Sequence, residues 1–173
     1  SVARSLRFPS DWGLEIGVLS EVYARYPNAR ICQVDIASDY DHKHQPLSDD
    51  DKTTGLHRMS RDIAKAFFRK LTTSGFSLTQ ESFRTLRATY MRAALELIEH
   101  YESDAVSNSM AYDRNLEESM ISLFGQSVLE AGEDFLRNPS ENPFTSSWSE
   151  VQSENKEIFA DLLAAIESDN DTP

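Results

Sequence analysis

The sequence predicts an α/β protein with a mostly helical C-terminal region and an incomplete sheet. Residues 30–36 form a short apolar run rich in β-branched side chains, as buried strands do. After residue 49, apolar side chains recur every three or four positions over several long stretches, which is typical of helices. With 173 residues, the chain is long enough for one core and too short for two sizeable domains.

The N-terminal part is predicted to hold one helix followed by the strand. Pro9 ends a loop, Ser10 or Asp11 offers an N-cap side chain, and Pro27 stops the helix. Two glycines near the start of this helix, Gly13 and Gly17, indicate close approach of the backbone to a ligand or a neighbouring strand. One face of the helix is apolar: Leu14, Val18, Leu19, Val22 and Tyr26.

Residues 49–167 are predicted to be helical, with a disordered tail at residues 168–173. The first long helix begins with capping residues at 48–51 and ends at Gly75, and the second opens at Thr79. A third runs from Asp113 to Leu136, and the last begins near residue 148. Large aromatic side chains at helical spacing are expected in the core or a dimer interface: Phe67, Phe83, Tyr90, Phe124 and Trp148.

The composition restricts the classes of partner. The formal net charge is -12, from 29 acidic and 17 basic side chains, which repels nucleic acid and anionic lipid. No run approaches the roughly 18 apolar residues of a membrane span. Cys32 is the only cysteine, which fits a cytoplasmic protein, and we expect it to be a small buried hydrophobe in the strand.

A polar loop at residues 39–48, here called the histidine loop, follows the predicted strand. It carries His42 and His44 on either side of Lys43, beside Asp39 and Asp41. Loops at the C-terminal ends of strands are where α/β proteins place ligand chemistry. An imidazole beside carboxylates can bind a metal ion or transfer a proton. Solvated loops of this composition are also common, so the residues alone leave the role open.

Three ordered motifs resemble a known family. They are Trp-Gly-Leu-Glu-Ile-Gly at 12–17, Cys-Gln-Val-Asp at 32–35 and Asp-His-Lys-His-Gln-Pro-Leu at 41–47. Together they resemble the C-terminal part of the glucosyl-3-phosphoglycerate synthases, retaining glycosyltransferases of the GT-A fold related to mannosylglycerate synthases. The resemblance implies that residues 1–48 are the end of a GT-A domain with its acceptor and metal loop. Beyond Gly75 the resemblance rests on helical character alone.

The resemblance also implies an activity. Such enzymes move glucose from a nucleotide sugar, usually UDP-glucose, to 3-phosphoglycerate with retention, as a step towards the compatible solute glucosylglycerate. They use Mg or Mn. Apart from the resemblance, a homodimer is expected because the long amphipathic stripes of the helical region exceed what the small α/β part can cover. His42 would be the metal ligand, Glu15 would face the sugar, and Lys43 and His44 would contact the acceptor. No catalytic residue is expected in this chain, because the leaving phosphate itself can take the acceptor proton.

Several alternatives stay open. No Asp-x-Asp motif follows a strand here, because residues 49–51 cap a helix, so the missing strands and the acidic motif are expected upstream of Ser1. The chain would then be a fragment that is inactive alone. The main competing interpretation is a non-catalytic helical module for dimerisation or interaction. A metal-dependent phosphohydrolase is less favoured because His42 lacks further ligands. GDP-mannose as donor and glycerate as acceptor also stay open.

Overall fold

The computed structural model describes residues 2–37, 53–141 and 144–170, and these ranges are mostly helical. The predicted helical character is therefore confirmed. None of the helices in these ranges is both long enough and apolar enough to cross a bilayer. Seven α-helices are present in the described ranges: α1 Val2–Ser5, α2 Leu14–Arg25, α3 Gly55–Thr73, α4 Gln80–Ser107, α5 Arg114–Arg137, α6 Trp148–Glu154 and α7 Ile158–Asn170.

The core lies where α5 packs against both α3 and α4. Phe68, Phe83 and Phe135 form an aromatic cluster, with ring centroids 4.7 Å apart for the first two and 6.4 Å apart for the other pairs. Tilted and edge-on contacts of this kind stabilise a core beyond the area that they bury. Ala131 is fully buried beside them. The cluster fixes the angle and distance at which the three long helices meet.

Local capping signals place several of the helix ends. The Thr79 hydroxyl accepts a hydrogen bond from the Ser82 backbone N–H in a capping box. The Asp113 carboxylate caps α5 by accepting a hydrogen bond from Leu116 N–H. Gly75 follows α3 with a φ of +93°, a conformation that favours glycine. The predicted cap of α3 at residues 48–51 is wrong: α3 begins at Gly55, after Thr54.

The predicted strand is not observed. Asn28–Arg30 is a 3-10 turn, and residues 31–37 have no regular secondary structure and are exposed. Cys32 is therefore exposed, not buried in a strand. An isolated strand leaves its backbone N–H and C=O groups unpaired, so a strand needs a neighbour. The described residues offer none, since their β-pairing is limited to a single bridge between Phe8 and Thr145.

Two other helix predictions need correction. The predicted final helix is two helices, because Asn155 is extended between α6 and α7 and its side chain accepts a hydrogen bond from Glu157 N–H at 3.0 Å. Helix α7 continues to Asn170, three residues into the predicted tail, and residues 171–173 lie outside the described ranges. At the N-terminus, where a loop was predicted, α1 forms one short helical turn.

The buried face of α3 does not include Phe67, which was predicted to lie in the core or a dimer interface. Ile63 and Phe67 are 37% and 41% exposed, whereas Phe68, His57 and Asp62 are buried. Helix α3 lies between α2 and α5, and its inner surface combines one aromatic side chain with several polar ones. Of the other predicted aromatics, Phe83 is buried, Tyr90 and Phe124 are half-buried, and Trp148 is 41% exposed and contacts Phe159.

Candidate functional site

The predicted site residues divide into two groups. His42, Lys43 and His44 belong to residues 38–52, which lie outside the described part of the chain. Glu15 is described, and it lies exposed in the first turn of α2. A carboxylate at this position is stabilised by the positive end of the helix dipole. The structure therefore places one of the four predicted residues, at the N-terminal end of α2.

Asp11 and Gly13 shape the start of α2. The Asp11 carboxylate accepts a hydrogen bond from Gly13 N–H at 2.9 Å, and its carbonyl oxygen accepts one from Leu14 N–H at 3.2 Å. A Cβ atom on Gly13 would lie 2.4 Å from Ala66 Cβ, so only glycine allows α2 to approach α3 this closely. The close approach predicted for this glycine is confirmed, and its neighbour is a helix, not a strand.

Gly17 provides a second close approach along the same helix. A Cβ atom there would lie 2.3 Å from Pro9 Cδ and 3.7 Å from Phe144 Cζ. Helix α2 is thus contacted by α3 at Gly13 and, one turn further along the same side, by Pro9 at Gly17. The position of the Glu15 backbone is consequently fixed by glycine packing at residues 13 and 17.

Asp62 is a buried carboxylate for which no role was predicted. It is 8% exposed, and burial together with repulsion from Asp11 raises the pKa of its carboxyl group. Arg58 and Lys65, one turn away on either side, offset part of this effect at 3.7 and 3.8 Å. Perturbed carboxyl groups concentrate at functional sites. The burial of Asp62 is hard to predict from the sequence, because its charged neighbours resemble those of an ordinary exposed helix face.

A second polar arrangement, the polar seam, joins α3 to α5. The seam consists of three side-chain pairs at the helix interface: His57 Nε2 with Glu130 Oε2 at 2.8 Å, Ser60 Oγ with Ser127 Oγ at 2.7 Å, and Arg61 Nη2 with Asp134 Oδ2 at 2.5 Å. Buried polar groups persist in proteins when they are hydrogen-bonded in this way. His57, which lies outside every predicted site, is 4% exposed and links two long helices.

An open cleft of about 640 Å³ borders the polar seam. His57 lines one side of it, and the exposed surface of α5 from Asn115 to Gln126 lines the other. Within the described ranges, no group of three or more His, Cys, Asp or Glu side chains is arranged to hold a metal ion. The described residues thus provide a carboxylate at the start of α2 and a hydrogen-bonded helix interface.

Comparison with known proteins identifies two curated relatives. The chain is 40% identical over 172 residues to the glucosyl-3-phosphoglycerate synthase of Persephonella marina, a match that covers 98% of this chain and 42% of that protein. It is 38% identical over 141 residues to the glucosyl-3-phosphoglycerate synthase of Methanococcoides burtonii, covering 81% of this chain and 34% of that protein.

These matches confirm the family resemblance that the three sequence motifs predicted. The chain spans less than half the length of either relative. No protein-family model matches the chain. No solved structure matches it significantly.

Proposed function

We propose that this chain, a relative of the glucosyl-3-phosphoglycerate synthases, forms part of an enzyme that transfers glucose from UDP-glucose to 3-phosphoglycerate with retention. The observation that carries the proposal is 40% identity over 172 residues to a protein of that name. The aligned region covers 98% of the chain and therefore extends over the positions of the Trp12–Gly17 and histidine-loop motifs. The alternative of a non-catalytic helical module is not favoured by the names of the relatives.

Within this proposal, Glu15 binds donor hydroxyl groups. The carboxylate is exposed and lies in the first turn of α2, where a ligand can reach it. The glycines that hold α2 against α3 and Pro9 give this carboxylate a fixed backbone support. Rigid support matters because a donor sugar must be held within a fraction of an ångström of its reactive geometry.

The histidine loop supplies the remaining proposed contacts. His42 is the proposed ligand of Mg or Mn, and Lys43 and His44 bind the acceptor phosphate or carboxylate. Oxygen and imidazole ligands suit these ions, Mn in particular. When bound, the metal supplies positive charge beside the diphosphate leaving group. Lys43 provides a local cation for an anionic acceptor, which a chain of net charge -12 otherwise repels.

We further propose that the complete enzyme has the GT-A fold and is a homodimer in the cytoplasm. The dimer is supported by large apolar side chains on the surface of α4. Among them, Leu95, Leu97 and Tyr101 are 45%, 45% and 57% exposed. Light scattering of the purified protein would give twice the mass of one chain. A monomer at micromolar concentration would remove this part of the proposal.

The metal and nucleotide part of the proposal can be tested by thermal stabilisation. UDP with Mn should raise the melting temperature of the full-length protein, and a chelator should remove the increase. His42→Ala should abolish the stabilisation because it removes the proposed ligand. His100→Ala is the matched control, since His100 is an exposed histidine on α4. Equal stabilisation in both variants would exclude His42 from the metal site.

A further inference from the structure

A basic cavity of about 670 Å³ lies at the C-terminal ends of α2 and α3. Four cationic side chains and two carboxylates line its described wall: Arg7, Arg25, Arg69, Lys70, Glu21 and Glu150. The wall therefore carries two excess positive charges in a chain whose net charge is -12. A local reversal of charge inside a concave surface is the pattern expected of an anion site.

The two carboxylates are already engaged by three of the cations. Glu21 accepts from Lys70 at 2.7 Å and from Arg25 at 2.6 Å. Glu150 receives the guanidinium of Arg7, with Nε 3.0 Å from both carboxylate oxygens. These pairs neutralise part of the charge of the cavity. The remaining excess of positive charge lies at Arg69 and at Glu21, where Lys70 and Arg25 share one carboxylate.

Arg69 lacks a carboxylate partner in the described part of the chain. Its Nη2 donates to the Glu141 carbonyl oxygen at 2.7 Å. Its Nη1 is buried and has no hydrogen-bond acceptor among residues 2–37, 53–141 and 144–170. A buried N–H group without an acceptor is unfavourable, and more so when it is charged. Because Arg69 also lines the cavity, its guanidinium offers an anion a positive charge that no carboxylate of the described residues neutralises.

Helix-dipole stabilisation explains only part of this arrangement. Basic side chains are favoured in the last turn of a helix, which accounts for Arg25 and Lys70. It does not account for Arg7, in the loop before α2, or for Arg69, which precedes the last turn of α3. Phe135 and Phe144 add aromatic surface to the same wall. A ligand with a charged group and a carbon skeleton would contact both kinds of surface.

We propose that the basic cavity binds a small phosphorylated organic anion, with Arg69 as the principal ligand. A phosphate monoester dianion matches the two excess positive charges, and a guanidinium can donate two parallel hydrogen bonds to it. The cavity lies at the end of α2 opposite Glu15, about 9–15 Å further along the helix axis. This proposal does not rest on the proposed glycosyl transfer.

Calorimetric titration with inorganic phosphate and with phenyl phosphate, at constant ionic strength set by sodium chloride, tests the site. Both should bind saturably to the purified protein, phenyl phosphate at least as tightly because of the aromatic wall. Arg69→Gln should weaken binding about 10-fold. Arg84→Gln is the matched control, since Arg84 is an exposed arginine on α4, outside this cavity, and it should leave binding unchanged.

Glu21→Gln provides a test of opposite sign. It removes one negative charge from the wall, so phosphate should bind several-fold more tightly. If Arg69 and Glu21 only maintained the local structure, both substitutions would weaken phosphate binding or leave it unchanged. Unchanged binding in Arg69→Gln, unchanged or weaker binding in Glu21→Gln, or no saturable binding to the unmodified protein would overturn the proposal. If Arg69→Gln does not fold, the result with Glu21→Gln decides alone.

Discussion

The two interfaces of α5 are built from different chemistry. At one end, α5 contributes Phe135 to the aromatic cluster with Phe68 and Phe83, which is dry and closely packed. Along the polar seam, it presents Ser127, Glu130 and Asp134 to the polar side chains of α3. The first interface gains its stability from burial and shape. The second depends on each polar group finding its own partner, which gives specificity of orientation more than free energy.

The largest expected effect comes from the aromatic cluster. Phe83→Ala removes a ring that is 2% exposed and touches both other members of the cluster. The free energy of unfolding should fall by about 3–5 kcal/mol. Urea unfolding followed by circular dichroism measures it. Phe76→Ala, at a position that is 60% exposed, should change it by less than about 0.5 kcal/mol. Equal losses in the two variants would show that the cluster is not the core.

Substitutions in the polar seam should lower the free energy of unfolding less than substitutions in the aromatic cluster. Glu130→Ala leaves the buried imidazole of His57 without its 2.8 Å partner, which should lower the free energy of unfolding by about 1–3 kcal/mol. Glu133→Ala, an exposed glutamate on the same helix, is the control and should be nearly neutral. A double-mutant cycle with His57→Ala would isolate the coupling between the two side chains. A coupling near zero would contradict the seam as a stabilising interface.

Gly125 and Gly132 of α5 face neighbours of different rigidity. A Cβ on Gly132 would lie 2.4 Å from the Phe83 ring, whereas one on Gly125 would lie 2.6 Å from Met91 Sδ, at the flexible end of a side chain. Gly132→Ala should destabilise by about 1–2 kcal/mol through overpacking. Gly125→Ala should be neutral or stabilise by up to about 1 kcal/mol through helix propensity. Thermal unfolding of both variants distinguishes them, and a reversed order would contradict the packing described for the cluster.

The smallest expected effect concerns the exposed ion pair of Arg7 and Glu150, which belongs to neither interface. The hydrogen bonds from Arg7, with help from the Ser147 backbone, lower the pKa of Glu150 from 4.5 to about 2. A carboxyl group whose pKa is lower in the folded state than in the unfolded state stabilises the fold at pH values above its unfolded-state pKa. This stabilisation is lost as the pH falls through the folded-state pKa. The melting temperature of Glu150→Gln should therefore lie below that of the unmodified protein at pH 6, and the difference should shrink between about pH 4.5 and 2.

Arg7→Gln is the control for this pH dependence. Without the guanidinium, the main cause of the lowered pKa is absent, so Glu150→Gln should have a much smaller effect in that background. A pH-independent difference between the unmodified protein and Glu150→Gln would contradict the assignment of the effect to ionisation of this carboxyl group.

The contrast between the two interfaces also explains what the sequence could predict. Phe83 as a core residue, the caps at Thr79 and Asp113, and the turn at Gly75 follow from local patterns of hydrophobicity and hydrogen-bonding groups. The polar seam does not, because His57 and Arg61 resemble exposed helix residues until α5 is placed beside them. The one-residue shift from Phe67 to Phe68 has the same origin, since the α5-facing side of α3 is partly polar.

The strand prediction was wrong, whereas most of the candidate site lies outside the described residues. The reasons differ. A buried strand at residues 30–36 was inferred from composition, but a strand depends on a neighbour that the described residues do not supply. Glu15 was predicted at a helix start and is found there, since glycine packing and an N-terminal carboxylate are local features. The roles of His42, Lys43 and His44 remain predictions from the family motif, outside the described residues.

Product formation by the full-length protein tests the central claim most directly. The protein would be incubated with UDP-glucose, 3-phosphoglycerate and Mg or Mn, beside His42→Ala and the control His100→Ala. The account predicts glucosyl-3-phosphoglycerate as the product, with turnover reduced about 100-fold or more in His42→Ala and retained in His100→Ala. Absence of turnover with every nucleotide sugar and glycerate acceptor tried would contradict the proposed glycosyl transfer.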